Sequence, residues 1–450
     1  MADPLDLPRV YRDRLDRAVS LLRRSAAVRI FTHYDADGLA AGAIVAKALR
    51  RAGFFIHLTA GHNLDGEIAA SLEAEGNELV VLCDMGSGQL DAVERLSAPV
   101  IILDHHKPLR ETTKADGVVQ INPYFGEING MEELCGASTA FTFALHLDAK
   151  NWDCAPLAIA GMTADRQHVQ GFLGPNGQIV AEAQKRKLIL QERTLNLPGG
   201  PVGEALTSCI DPYFAGLSGR PEAVAAFLKE LKIDPRKPLR ELDEPAKRRL
   251  ATGLSMRLLR QGCRPETVEE ITGTVIHIPS LEATAVDLME LLSACGRLEH
   301  PADGVAMALG DPKALESAKR LREDYQASIR AQLLRIEAEG VAQRDHIQHF
   351  VGPNGNLAGT QCGLAMAFLL DQSKPCLALA SGNGKTRISS RGTRWLVSRG
   401  LDLAAALREA AAAVGGVGGG HPVASGATIP QGREEEFLSR VDAIVGAQLK

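Results

Sequence analysis

Aromatic residues are scarce in this chain of 450 residues, at 4% of the total. Extended base stacking would therefore have few platforms. The cysteines stand at 83, 135, 154, 209, 263, 295, 362 and 376 with no Cys-x-x-Cys pair among them, which excludes zinc-ribbon and thioredoxin-like patterns. Most lie in apolar segments, as buried thiols do, and this usage suits a reducing cytoplasm. No run of about 18 apolar residues occurs, so no transmembrane helix and no membrane association is expected. Residues 1–6 lack a signal-peptide pattern. A basic excess is missing too. The net charge of −5 argues against a protein coated with basic surface for duplex binding. A local basic channel stays compatible with that sum, because an acidic metal site offsets nearby Lys and Arg.

What is present is a set of apolar runs that end in carboxylates and imidazoles. Ile101-Ile102-Leu103 reads as a buried strand that stops at Asp104-His105-His106. Residues 28–32 lead into His33-Tyr34-Asp35-Ala36-Asp37-Gly38, and residues 79–83 lead into Asp84-Met85-Gly86. Such residues at the carboxyl ends of parallel strands open onto a cleft. Hard carboxylate oxygens with imidazole suit divalent manganese, magnesium or zinc. One Asp at a strand end is an ordinary turn former; three such strand ends together point to a metal centre.

Length suggests two or three domains, and 45% hydrophobic with 23% charged residues is a soluble globular composition. Helical patterns at 9–24, 39–50, 64–75 and 89–95 alternate with strands at 28–33, 54–59, 79–84 and 100–104. That alternation predicts an α/β domain with a parallel, doubly wound sheet. Residues 118–122 read as a further strand. Residues 136–139 open a helix whose N-terminus either holds an anion on free backbone N–H groups or takes a Ser/Thr cap. An apolar helix over 155–162 ends at Asp165. Residues 171–177 read as a turn and 178–195 as helix. A Pro/Gly break at 198–201 closes a core of residues 1–204.

Residues 205–280 read as an inserted helical module. Its Lys247, Arg248, Arg249, Arg257 and Arg260 form a basic stripe, either a solvated helix face or a track for a nucleic-acid backbone. Residues 281–344 finish the core and supply a long charged connector helix over 312–338. A smaller α/β domain fills 345–450. Its strands are expected at 347–351, 376–380 and 386–390, its helices at 361–370, 403–414 and 433–449, and a glycine loop at 415–420. Arg387 and Arg391, on or beside a strand, either contact phosphates or ion-pair at the surface. Repeated glycine in the loop exposes backbone N–H groups to a phosphate or base.

These residues resemble the DHH phosphoesterase superfamily. His33-x-Asp35-x-Asp37-Gly38 is similar to its first motif, Asp84 to the second, and Asp104-His105-His106 to the third. Asp165 matches the fourth metal-binding Asp. Gly418-Gly419-Gly420-His421-Pro422-Val423-Ala424-Ser425-Gly426 resembles the signature of the associated DHHA1 domain. Ser293-Ala294-Cys295-Gly296-Arg297 is similar to the RecJ stretch Asn-Ala-x-Gly-Arg, with Ser293 replacing Asn. This points to RecJ-like exonucleases, in particular the archaeal group that includes the GINS-associated nuclease.

The resemblance implies two manganese ions, with magnesium as the alternative. Asp35, Asp84 and His33 would hold one ion; Asp37, Asp84, His105 and Asp165 would hold the other, so that Asp84 bridges. Asp104 would orient the His pair, and His106 would face the scissile phosphate. His421 with Gly419 and Gly420, and Arg297, would hold the nucleotide. The implied activity is exonucleolytic hydrolysis of single-stranded DNA, 5′-to-3′ by likeness to RecJ, in replication or repair. Alternatives are a non-catalytic replication factor and a small-substrate phosphoesterase, including RNA trimming from the 3′ end. The implied partners are single-stranded nucleic acid and a GINS-type complex docked on 205–280.

Overall fold

The computed structural model describes residues 5–112, 117–169 and 171–449; residues 1–4, part of the stretch read for a signal peptide, lie outside the described residues. The chain forms two compact units, Met1–Arg193 with Thr274–Glu323 and Thr194–Gly273 with Asp324–Lys450. The module read at 205–280 therefore contributes its residues up to 273 to the second unit. The long helix Pro312–Glu339 belongs in part to each.

The first unit is built on five parallel strands, β1 (Ala27–His33), β2 (Phe55–Gly61), β3 (Val80–Cys83), β4 (Val100–Leu103) and β5 (Val118–Ile121), in the order β2-β1-β3-β4-β5. Both faces of the central strands are covered, which is why β3 and β4 are uninterrupted apolar runs. Successive side chains point to opposite faces. Val80, Leu82, Val100 and Ile102 enter one core, and Val81, Cys83, Ile101 and Leu103 enter the other. This is the doubly wound α/β arrangement that the strand–helix alternation predicts.

The register decides where function can sit. Thr32 of β1 pairs with Cys83 of β3, and Cys83 pairs with Leu103 of β4. The residues that follow these three therefore leave the sheet side by side, at its carboxyl edge. β1 lies between β2 and β3, so the chain winds away from it in both directions. Ligands of such sheets bind at that switch point.

The second unit carries a six-stranded mixed sheet. Its order is Val417–His421, Ala424–Pro430, Lys385–Arg391, Cys376–Gly382, Gln348–Val351 and Ala342–Gln343. Leu403–Ala413 and Glu434–Gln448 pack on it, burying Leu407, Phe437 and Val441.

Several local expectations change. The helix expected at 178–195 is Gly174–Lys185, because Lys187 turns left-handed at φ 59, and Leu190–Leu195 is a strand. It pairs in a three-stranded sheet with Thr272–Ile278, a β-branched run inside the segment read as helical. The helix expected at 361–370 is Gly355–Phe368, started by the Asn354 side chain accepting the Asn356 N–H at 2.8 Å. The glycine loop is mostly a strand, Val417–His421, antiparallel to Ala424–Pro430. Helix Leu403–Ala413 lies directly on it: a Cβ at Gly418 would stand 2.6 Å from the Leu407 carbonyl oxygen. The basic stripe is partly consumed inside its own module. Lys247 pairs with Glu244 at 3.3 Å, Arg249 donates to the Leu231 carbonyl at 2.9 Å, and Arg257 lies over the Phe227 ring at 4.8 Å. All eight cysteines are free and buried. No helix among the described residues is long and apolar enough to cross a membrane.

In the first unit, helices Gly136–Leu147 and Ala155–Ala164 meet at Ala137 and Gly161. A Cβ at Gly161 would fall 2.4 Å from both Ala137 Cβ and Asp37 Oδ1. Overpacking of a tight core costs about 1–3 kcal/mol. Gly161→Ala is expected to lower the unfolding free energy measured by urea denaturation by about that amount and to displace Asp37; an unchanged free energy would show that the crossing has slack.

Candidate metal centre

β1 ends at His33 and the chain turns at once into helix Ala36–Arg51. Asp35 caps that helix, its Oδ1 accepting the Gly38 N–H at 3.1 Å. Asp37, one residue into the first turn, is 1% exposed. Its carboxylate accepts the N–H groups of Gly136 at 2.7 Å and Ala137 at 2.9 Å. These are free donors at the start of helix Gly136–Leu147. The sequence allows an anion or a Ser/Thr cap there. The structure fills the position with an internal carboxyl, and the cap itself is Cys135 in a reciprocal box with Ser138.

Asp84 follows β3 in the left-handed region, at φ 58. An Asp tolerates that conformation better than most residues, and here it turns the carboxylate back over the sheet edge. Asp84 Oδ2 lies 3.2 Å from His33 Nδ1, and Oδ1 lies 3.3 Å from His105 Nε2. His33 Nδ1 is also 3.0 Å from Asp35 Oδ1. On the other side, His105 Nε2 is 3.2 Å from Asp165 Oδ2 and 3.9 Å from Asp37 Oδ2. Asp165 reaches this point as the residue that ends helix Ala155–Ala164. Donor atoms of His33, Asp35 and Asp84 lie within 4.8 Å of one another, as do those of Asp37, His105 and Asp165 and those of Asp84, His105 and His106.

His33 Nδ1 and Asp84 Oδ1 are buried without a hydrogen-bond partner. A divalent cation satisfies several such lone pairs at once, and this oxygen-and-imidazole set fits manganese or magnesium. The His105 ring is turned for that role. Its Nδ1–H donates to the Gly130 carbonyl at 2.7 Å, which leaves Nε2 as the atom that faces the carboxylates and could ligate a cation once deprotonated. Gln167 Nε2 donates to the same carbonyl at 3.0 Å, and Asn176 holds Gln167 at 2.6 Å.

Asp104 does a different job. One of its oxygens accepts the His105 N–H at 2.8 Å and the His106 ring at 2.8 Å; the other accepts the Ser87 N–H at 2.9 Å. Its lone pairs are thus engaged by protein donors. Asn122, fully buried, ties this corner together by donating to the Ser87 hydroxyl and the His106 carbonyl, each at 2.9 Å.

Crowding shows in the protonation equilibria. Burial, then Asp165 and Asp84, push Asp37 well above the usual carboxylate range, and burial pushes Asp165 up to about 6. Burial works to raise Asp35, but His33 and Arg297 outweigh it and hold this carboxyl low. Burial likewise opposes charge on the imidazoles. Asp35 and Asp84 nevertheless lift His33, Asp165 and Asp84 lift His105, and Asp104 lifts His106 to about 9.

Helix Ala285–Arg297 brings the Ser-Ala-Cys-Gly-Arg stretch to the same edge. A Cβ at Gly296 would stand 1.9 Å from the Tyr34 carbonyl oxygen, so the close approach requires glycine. Arg297 then donates to the Tyr34 hydroxyl at 2.7 Å, with its guanidinium 5.3 Å from that ring. Tyr34 in turn lies against His62, ring centroids 3.9 Å apart. Tyr34, Ser87, Asn122, Gly130 and Gln167 belong to the site but carry no motif of their own. Only Tyr34, inside the first motif, could have been suspected.

The remaining expected residues gather in the second unit. Arg391, Ala424 and His421 stand opposite one another on three adjacent strands and so share a face of the sheet. Arg387, nearer the far end of its strand, donates to Asn356 Oδ1 at 2.7 Å. Gly419 and Gly420 pair with Gly426 and Ser425.

Cation binding should be coupled to protons, because the ligands must shed them. Titration with manganese chloride in two buffers of unlike ionisation enthalpy should reveal net proton release at neutral pH. Affinity should fall as pH drops through about 6, where Asp165 takes up its proton. Binding without proton release would contradict the lifted imidazoles.

Comparison with known proteins supports this geometry. The DHH family, N-terminal domain, matches residues 27–162, and the DHHA1 domain matches residues 357–447. An uncharacterized protein of Methanocaldococcus jannaschii is 30% identical over 436 residues, 96% of this chain and 96% of that protein. The single-stranded-DNA-specific exonuclease RecJ of Dickeya dadantii is 28% identical over 163 residues, 33% of this chain and 28% of that protein. RecJ from Thermus thermophilus, crystallised in complex with Mn2+, shares the fold with a TM-score of 0.61 at 18% identity, over 99% of this chain and 56% of that one. With its two motif-bearing domains and a relative matched along nearly its whole length, the chain belongs to the DHH/DHHA1 phosphoesterase superfamily.

Proposed function

We propose that this protein is a manganese-dependent exonuclease that hydrolyses phosphodiester bonds of single-stranded DNA from the 5′ end. The observation that carries the reading is the complete donor set at one sheet edge, in which His33 Nδ1 and Asp84 Oδ1 are buried without a hydrogen bond and face only other members of the set. A non-catalytic factor of the same fold has no need to keep those donors together. RecJ, the named relative, supplies the substrate class, single-stranded DNA; the 5′ direction is the expectation that the family resemblance carries.

His33, Asp35 and Asp84 would hold one divalent ion, and Asp37, Asp84, His105 and Asp165 the other. Such ions lower the pKa of a bound water and neutralise charge on the phosphate. The chain's own groups do the rest. Asp104 fixes His106, keeps it protonated near neutrality, and so presents a donor to a phosphate oxygen or the leaving oxygen. His106 is the more exposed of the pair, at 43% of its side chain, as a group facing substrate must be. Arg297, held over Tyr34, presents a fixed guanidinium beside Asp35 and can grip a phosphate of the strand end. In the second unit His421, Arg391, Gly419 and Gly420 would hold a nucleotide.

The 205–280 segment fits a docking role for a GINS-type replication complex. Met256 and Leu259, 45% and 50% exposed, lie on helix Glu244–Arg260 beside the exposed Arg260. Apolar anchors rimmed by charge are the composition of a protein interface.

Digesting end-labelled single-stranded DNA and RNA with manganese tests the activity directly. Shortening from the 5′ end of DNA is expected; shortening of RNA from its 3′ end would replace this reading with a trimming enzyme. Asp84→Asn keeps the backbone conformation and should abolish hydrolysis, whereas Asp104→Asn should lower it by about 10–100-fold through misplaced imidazoles. Substantial turnover by Asp84→Asn would rule out a bridging carboxylate. Arg297→Ala and His421→Ala should raise KM on short oligomers with manganese affinity unchanged, and unaltered KM in both would remove the clamp.

A further inference from the structure

Aromatic side chains are few in this chain, and those of the second unit are mostly inside. Trp395 is the exception, 39% exposed on the short helix Arg394–Ser398. Two guanidinium groups lie over its ring, Arg399 at 5.0 Å and Arg264 at 5.5 Å from the centroid. The indole forms part of the wall of an open cleft of about 540 Å³, with Gln261, Arg264, Asp371 and Gln372 among its other lining residues.

The lining is braced from behind. Arg264 Nε donates to Gln372 Oε1 at 2.7 Å, and Gln372 donates in turn to the Ala367 carbonyl at 3.1 Å. Gln261 is fastened to the Tyr213 and Phe368 carbonyls at 3.1 and 3.2 Å. Asp371, the carboxylate of the lining, has one oxygen engaged by the Ser373 backbone N–H at 2.8 Å. Side chains held in this way lose little freedom when a ligand arrives.

The chemistry narrows the ligand. A purely apolar ligand would gain nothing from two arginines. An acidic peptide would use the arginines but not a flat half-open indole. A strand of nucleotides offers both complements, a π-face and a negative charge at each step. An indole with guanidinium groups beside its face offers a base a π-surface and leaves N–H edges to reach a phosphate. We infer that Trp395, Arg399 and Arg264 form a second binding site for single-stranded nucleic acid, separate from the residues of the DHHA1 signature. The site takes a base on the Trp/Arg stack and the adjoining phosphates on the guanidinium edges. The choice of strand rests on the exonuclease reading above; the site itself does not depend on the metal centre.

The test uses the full chain in EDTA, so that no hydrolysis is needed. The probe is oligo(dT) longer than the about 4–16 nucleotides that a single-strand groove occupies. Of the two tryptophans, Trp152 is 3% exposed, so a change in emission on binding reports Trp395. Quenching is expected, and Trp395→Ala should remove it and weaken Kd about tenfold, the effect of one lost stacked base. Arg399→Ala trims an exposed side chain without opening the core. It should reduce the salt slope of binding by about 0.7, one phosphate's share on a single strand. Unchanged emission at saturating oligo(dT), or a Kd and salt slope untouched in both variants, would overturn the site. If manganese-loaded protein cleaves no single strand yet oligo(dT) still quenches Trp395, the site stands and the exonuclease reading falls. Cleavage without quenching removes the site alone.

Discussion

The architecture of the first unit answers to one electrostatic constraint: several carboxyl groups must share a space from which water is largely excluded. Asp37, Asp84 and Asp104 are each nearly inaccessible, and Asp35 and Asp165 lie against them. Charges so placed repel one another and lose hydration, and either effect alone raises a carboxyl pKa. The fold offsets this with donors aimed from outside. The start of helix Gly136–Leu147 faces Asp37, the Ser87 backbone and two histidines face Asp104, and Arg297 stands beside Asp35. Sheet register then sets the spacing, because β1, β3 and β4 end level with one another.

Within that frame the two members of the His pair diverge. Both follow Asp104, yet His105 is fastened through Nδ1 to a backbone carbonyl and His106 through Nδ1 to a carboxylate. A carbonyl merely fixes the tautomer, whereas a carboxylate also favours the charged ring. Adjacent residues thereby part in role: with an ion bound, His105 would offer its Nε2 lone pair, whereas His106 is a cationic donor of a proton.

Much of this was legible in the sequence because it is local. Apolar runs that stop at Asp or His mark strand ends wherever both faces of a sheet are buried, and the ligand-bearing turns follow within a few residues. The parts that escaped depend on distant partners. Nothing near Gly130 announces that its carbonyl will orient His105, and nothing near Gly136 says that its N–H will meet Asp37 across 99 residues of chain. The glycine tract misled for a related reason. Glycine was read as loop, but here it lets helix Leu403–Ala413 lie on a strand, a packing demand visible only in three dimensions. Leu190–Leu195, mostly exposed and polar in its middle, lacks the alternation of a strand and becomes one through its pairing with Thr272–Ile278.

The donors of the metal centre come from residues 33–37, 84, 104–106 and 165, pieces that adjoin only when the whole sheet is assembled. An unfolded chain cannot reproduce that cage, so a cation that fits it binds the native state alone and shifts the folding equilibrium by mass action. It would also relieve the repulsion among the clustered carboxylates. Metal supply would then bear on the lifetime of such a protein as well as on its chemistry. A chain starved of its ion would be less stable, spend more time open and be exposed to proteolysis. The same carboxylates that would equip the fold to cut a phosphodiester would make its persistence conditional on being loaded.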